Sequence, residues 1–253
     1  MRTARVAWQG AVHTAVPHEA GLQLLDGPGH GTVLAEDAVV WLPPVVPGTI
    51  VALGLNYADH VAELSSELSS AQQEEPLAFL KTPSSVIGHR ASTRRPADVR
   101  FMHYECELTV VIGRTARRVK AADALSHVAG YTVANDYAVR DYLENWYRPN
   151  LRVKNRDGGT VLGPWLVSAD EVPDPQALTL RTLVNGQPTQ QGSTANMIHS
   201  VAALIEYLSG FMTLHPGDLI LTGTPQGVVN VNTGDVVVTE IDGIGSLMNT
   251  LCA

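Results

Sequence analysis

Apolar runs in this chain are short, and nearly all of them close on Gly or Pro before a helix of ordinary length could form. With 22 Gly and 15 Pro among 253 residues, long helices are largely excluded and short strands joined by turns become the default. Residues 1–48 read as strands and turns: RVAWQGAVHTAV, then GLQLLDGPGHGTVL, then the stiff connector WLPPVVPG from Trp41 to Gly48. From Thr49, TIVALGLNY reads as a buried strand and ADHVAEL as a short helix. PLAFLKT, YECELTVVIG and GYTVAND have strand composition, whereas AADALSHVAG and AVRDYLENWYR read as helical. One longer segment, NMIHSVAALIEYLSGF, carries a true helical period, with Met197, Val201, Leu204, Ile205 and Leu208 on one face and Gly210 near its end. The C-terminal third, with LILTGTP and VVNVNTGDVVVTEI, is β-rich, and Gly-Asp at 217–218 and 234–235 marks two similar turns leading into strands. The expectation is a mixed α+β, strand-dominated fold: a small N-terminal β region over 1–48 and a larger domain over 49–253. The polar stretch SSELSSAQQEEP, Ser65 to Pro76, reads as a loop able to act as a lid.

Composition narrows the function. A hydrophobic content of 45% against 17% charged residues is that of an ordinary globular chain. The formal net charge of −8 excludes a nucleic-acid backbone as the natural partner, because that contact needs a basic footprint. Two cysteines, Cys106 and Cys252, cannot build a disulfide framework or a zinc cage. No apolar run is long enough for a signal peptide or a membrane span, so a cytoplasmic protein with no membrane partner is expected.

The sharpest chemical feature is HYECELTVVIG. On a strand alternate side chains share a face, so Glu105 and Glu107 point one way and Cys106 the other, with the two Glu Cα atoms roughly 6.6–6.8 Å apart. Two acids running into an apolar strand repel one another unless a cation lies between them. Asp136, at the end of the apolar strand GYTVAN, is placed to project into the same cleft. Such an all-oxygen set suits Mg2+ or Mn2+, admits Ca2+, and disfavours Zn2+; the alternative is a solvated acidic face.

Other groups fit around that centre. His60 and Glu63, at i and i+3 on the short helix, could form a proton-moving pair or a surface ion pair. Lys81 in FLKT and Lys154 in LRVKNRDG could bring positive charge to the acids or to a substrate carboxylate. Arg140, Arg148 and Arg152 cluster with Tyr142 and Tyr147 in a cationic, aromatic stretch that suits a dicarboxylate or a subunit contact. The turn TGTPQG could cradle a carboxylate with its amides and the Thr224 hydroxyl. Dinucleotide-binding, Walker A, nucleophile-elbow and HExxH patterns are absent from the sequence.

Together the runs GLNYADHVAEL, PLAFLKTPSSVIG, HYECELTVVIG, GYTVANDYAVRD and PGDLILTGTPQGV resemble, in order, the fumarylacetoacetate hydrolase family. That resemblance implies a β-roll catalytic region, usually a homodimer. It also implies Mg2+ (or Mn2+) on Glu105, Glu107 and Asp136, a His60–Glu63 dyad, Lys154 as the active-site lysine and Thr224 as a substrate contact. The run RDYLENWYRPNLRVKNRDGGTVLGPW is most similar to members acting in homoprotocatechuate (4-hydroxyphenylacetate) degradation. It implies metal-dependent decarboxylation of 5-oxopent-3-ene-1,2,5-tricarboxylate and/or isomerisation of 2-hydroxyhepta-2,4-diene-1,7-dioate. Lys81, Arg140 and Tyr147 would then contact an oxo or hydroxy di- or tricarboxylate. Some members carry two tandem copies, so a homologous second subunit is a further expectation for this single copy. Leu143 stands where C–C hydrolases of the family often carry glutamine. The alternatives are an acylpyruvate hydrolase on the same metal and a non-catalytic binding protein that has kept the fold.

Overall fold

The computed structural model describes residues 1–63, 75–143 and 150–253, with the side chains of residues 62 and 63 outside that description. Two sheets dominate. The larger has twelve strands, and its main path runs Val33–Leu34, Gly21–Leu24, Ala11–His18, Arg2–Trp8, Thr160–Ser168, Val128–Asp136, Cys106–Ile112, Leu219–Leu221, Ile50–Gly54 and Leu77–Lys81. The smaller orders Gln187–Ser193, Thr179–Val184, Val236–Ile241, Gly245–Cys252 and Ser92–Arg94. The strands of the first 48 residues continue the large sheet through Arg2–Trp8, which pairs antiparallel with Thr160–Ser168. The main core lies between the sheets, where Leu108, Val110, Val133 and Ile220 meet Leu180, Val237, Ile241 and Leu247.

The expected long helix spans Val201–Phe211. Ser200 caps it, accepting from the Ala203 amide at 3.2 Å, and Val201, Leu204, Ile205 and Leu208 are buried on the core side. Met197 precedes the cap, so it packs on the core from outside the helix. The two Gly-Asp turns are alike, as expected: Gly217 and Gly234 have φ of 89° and 93°, and Asp218 and Asp235 each accept from the amide three residues back.

Two helical expectations hold only in part. In AADALSHVAG only Ala121–Ala124 is α-helical, a 3-10 turn follows at Leu125–His127, and Val128 already starts a nine-residue strand. The strand pairs with Cys106–Ile112 from Val128 and with Thr160–Ser168 from Gly130, and those ladder bonds outweigh the weak helical preference of its first residues. In AVRDYLENWYR, Ala138–Val139 pairs with Met102–His103 as a short ladder, and Arg140–Tyr142 makes a 3-10 turn. The run beyond Leu143, with Tyr147 and Arg148, lies outside the described residues, as do residues 65–74 of the lid expected over Ser65–Pro76. Among the described residues no helix is long and apolar enough to cross a membrane.

Candidate metal centre

Register explains why three acids meet. Strands Cys106–Ile112 and Val128–Asp136 run antiparallel with Cys106 opposite Asn135 and Glu107 opposite Ala134. Glu105 therefore falls beside Asp136, and the Asp136 amide donates to the Glu105 carbonyl at 2.9 Å. Glu107, two residues along, shares their face diagonally. Cys106, Leu108 and Val110 take the opposite face into the core, as the strand alternation requires. All three acids are buried, and one carboxylate oxygen from each lies within 4.8 Å of the others.

Parallel pairing of Leu219–Leu221 with Ile50–Gly54 delivers two more loops to this end of the sheet. One is the Thr222–Gly227 turn. Its Gly223 amide donates to Glu107 Oε2 at 2.7 Å, so the expected cradle holds a protein carboxylate. Gly223 sits at φ +86°, with the place of a Cβ only 3.1 Å from that of Asn56, so a side chain there would meet both backbone strain and a tight contact. The other loop leads into helix Ala58–Glu63. His60 is buried on it and lies close enough to Glu105 to favour that carboxylate's charge. Glu63 closes the helix, and its side chain is outside the description.

Three cations surround the acids. Lys154 Nζ lies 2.6 Å from Glu105 Oε2 and 2.9 Å from Asp136 Oδ2. Arg140 reaches Glu105 Oε1 at 2.7 Å and turns its Nε to His103 Nδ1 at 3.3 Å. Lys81 Nζ is 2.7 Å from Asp136 Oδ1 and donates to the Lys154 carbonyl. The Lys81–Asp136 contact has an ion pair's distance without a hydrogen bond's angle, so Asp136 Oδ1 is still short of a proper donor. The Lys81 side chain is 0% exposed, behind Asp136.

The electrostatics are uneven. Burial alone would raise the Glu105 carboxyl, but Lys154, Arg140 and His60 outweigh it and hold the pKa at about 2. Lys154 is raised: burial opposes its charge, and Asp136 and Glu105 more than compensate. Lys81 is lowered, because burial exceeds the help it receives from Asp136. Glu107 is the outlier. Burial first, then the charges of Asp136 and Glu105, push it well above the ordinary glutamate range. Its Oε1 has no hydrogen-bond partner among the described residues. A fully buried carboxylate with a bare oxygen, beside two further carboxylates, is a donor set that fits a hard divalent cation.

Residues 49–252 match the family model "Fumarylacetoacetate (FAA) hydrolase C-terminal". The chain belongs to this family. Within the fumarylacetoacetate hydrolase family it is 54% identical over 237 residues to the 4-hydroxyphenylacetate degradation bifunctional isomerase/decarboxylase of Salmonella dublin, covering 91% of this chain and 53% of that protein. It spans about half the length of the curated bifunctional relatives it matches. Maleylpyruvate hydrolase of Aquipseudomonas alcaligenes is 38% identical over 223 residues, 85% of this chain and 76% of that one. Among solved structures, 5-carboxymethyl-2-hydroxymuconate delta-isomerase from Mycobacterium smegmatis superposes with a TM-score of 0.86 at 36% identity, covering 100% of this chain and 98% of the other.

Of the expected site residues, the fold gathers Glu105, Glu107, Asp136, Lys154, Lys81, Arg140 and His60, and places Thr224 next to the glycine that holds Glu107. Tyr147 is undescribed. Sequence reasoning missed Asn56. Its Nδ2 donates to the His199 carbonyl at 3.1 Å and the Thr222 carbonyl at 2.9 Å, tying the loop before His60 to the turn that holds Glu107. The available signal was an amide residue straight after a buried strand, where three backbone-rich turns need a polar brace. Gln190 was missed as well.

Proposed function

We propose that the chain is an Mg2+- (or Mn2+-) dependent enzyme of 2-oxo and 2-hydroxy di- and tricarboxylic acids. Its reaction is decarboxylation of 5-oxopent-3-ene-1,2,5-tricarboxylate and/or isomerisation of 2-hydroxyhepta-2,4-diene-1,7-dioate in homoprotocatechuate catabolism. The observation that carries the reading is the bare, buried Glu107 Oε1 within a three-carboxylate cluster, supported by the names of the bifunctional relatives. Glu105, Glu107 and Asp136 would hold the ion, which when bound supplies Lewis-acid stabilisation of an enolate oxygen.

Both reactions pass through one enolate, so a single set of side chains serves them. His60, with Glu63 as its dyad partner, takes and returns the proton at the carbon that changes hybridisation. Lys154, cationic between Glu105 and Asp136, faces the developing negative charge. Lys81 is buried behind Asp136 and acts by holding it and the Lys154 backbone in place, in place of the substrate contact expected from sequence. Arg140, partly exposed at the rim, keeps guanidinium surface for the far carboxylate while one nitrogen holds Glu105. Tyr147, outside the described residues, belongs to the same reading as a substrate contact. The protein is cytoplasmic and homodimeric, with a homologous second subunit where one is present.

An ultraviolet assay on both substrates, with Mg2+ and with EDTA, tests the reading. Metal-dependent CO2 release or diene isomerisation is expected. The likeness to maleylpyruvate hydrolase favours one rival, hydrolysis of acylpyruvates, and release of pyruvate from an added acylpyruvate, without either expected reaction, would establish it instead.

A further inference from the structure

Thr224, one residue beyond the glycine that holds Glu107, is buried, and its hydroxyl is engaged from one side only. Gln190, buried on strand Gln187–Ser193, directs Nε2 to Thr224 Oγ1 at 2.9 Å and to the Pro225 carbonyl at 2.8 Å. Its Oε1 accepts from the Thr182 hydroxyl at 3.0 Å. A backbone carbonyl can only accept, so the side of the amide turned to Pro225 must be the NH2; the flipped amide would set two acceptors against each other. The two NH2 protons then serve Pro225 and Thr224. Thr224 Oγ1 is therefore an acceptor toward Gln190, and its single proton must go elsewhere. Among the described residues nothing accepts that proton.

The clamp is also tightly packed. A Cβ on Gly192 would come 2.5 Å from Pro225 Cβ, and Gly227, at φ +96°, would bring one 3.1 Å from the Thr189 carbonyl. The close approach of hairpin and turn therefore needs glycine at 192.

We infer that Gln190 is a positioning residue that sets the polarity of the Thr224 hydroxyl, making it an obligate donor to an anionic oxygen of the ligand. The inference rests on the 2-oxo acid reading above and deepens it: the site is biased toward a carboxylate or enolate oxygen and against a group that presents its own proton. Gln190 acts only through Thr224, so the two residues must be energetically coupled.

The probe is oxalate, a planar dianion with adjacent oxygens, titrated by calorimetry into the Mg2+-loaded chain. Gln190→Met and Thr224→Val should each weaken oxalate by about tenfold, the effect of one hydrogen bond to a charged group. The double variant should be no weaker than Thr224→Val alone, and Thr224→Ser should recover most of the affinity. Mg2+ affinity should stay within about twofold in Gln190→Met, since Gln190 touches none of the three acids; a merely structural role would move both affinities. If Gln190→Met does not fold, Gln190→Glu keeps the shape and sets an acceptor against the Thr224 oxygen, and should weaken oxalate at least as much. Additive losses in the double variant, or unchanged oxalate affinity in a folded Gln190 variant, would overturn the inference alone. A wild-type chain that binds Mg2+ but no oxalate would overturn the 2-oxo acid reading and this inference with it.

Discussion

Replacing Glu107 with Gln should stabilise the chain without metal and abolish its stabilisation by metal. The carboxylate is fully buried, one oxygen is held by Gly223 at 2.7 Å, and the other faces Glu105 and Asp136 with no donor among the described residues. In EDTA, Gln keeps the acceptor for Gly223 and turns the bare oxygen into an NH2 beside two carboxylates. One charge-assisted hydrogen bond gained is about 1.5–3 kcal/mol. At about 2–4 °C per kcal/mol for a chain of this size, Tm in EDTA should rise by about 3–12 °C. The gain depends on pH. The folded chain holds the Glu107 proton more firmly than the unfolded chain, so the cost of burying the acid grows as pH rises above the ordinary glutamate value of 4.5. Gln removes that cost, so its advantage should be larger at pH 8 than at pH 5. With Mg2+ the wild type gains a comparable amount. A site filled at a hundred times its Kd stabilises the wild type by about 2.7 kcal/mol, or about 5–11 °C, and the variant should lose that shift. Differential scanning fluorimetry with EDTA and with Mg2+ reads both effects. A variant less stable than wild type in EDTA, or one that retains the full Mg2+ shift, would refute the reasoning and leave Glu107 as a structural acceptor for the turn.

Two further outcomes follow from the same geometry. Lys154→Met strips the ammonium from Glu105 and Asp136 and should cost about 3–5 kcal/mol in EDTA by urea unfolding, with excess Mg2+ restoring part of it; an unchanged urea midpoint in EDTA would contradict the ion pairs described. His89 lies away from the centre, where burial, then the charge of Arg90, lowers its pKa from 6.5 to about 4 and its Nδ1 accepts from the Met248 amide at 3.0 Å. Between those values the unfolded chain binds the extra proton, so stability is full above pH 6.5 and falls as pH drops. His89→Asn, which keeps an acceptor, should therefore lose about 2 kcal/mol less than wild type between pH 7 and 5. Parallel pH slopes in EDTA would count against that.

Much of the site was legible because strand parity is a local property. Alternation placed Glu105 and Glu107 together and Cys106 apart: the two acids share one cluster with Asp136, and Cys106 packs in the core. The helix over Val201–Phe211 was legible for the same reason, its period being carried by residues within a few positions of one another. What could not be read was which strands are neighbours. Lys81 meets the Lys154 carbonyl across 73 residues, and Arg140 meets Glu105 across 35, because the sheet order puts Leu77–Lys81 beside Ile50–Gly54 at one edge, and Arg140 and Lys154 each come to the acids from outside that strand order. No periodicity in either segment encodes that meeting. Lys81 therefore read as a substrate cation, and only its burial behind Asp136 shows the inward role. The same limit hid the strand at Ala138–Val139, whose partner, Met102–His103, sits more than thirty residues earlier.

Anomalous scattering at the manganese edge, from crystals grown or soaked with Mn2+, tests the central claim most directly. One strong peak per chain is expected, bonded to an oxygen from each of Glu105, Glu107 and Asp136 and absent from Glu107→Gln crystals. A peak elsewhere with these three side chains still paired only to Lys154, Arg140 and Lys81, or the same peak persisting in the variant, would contradict it.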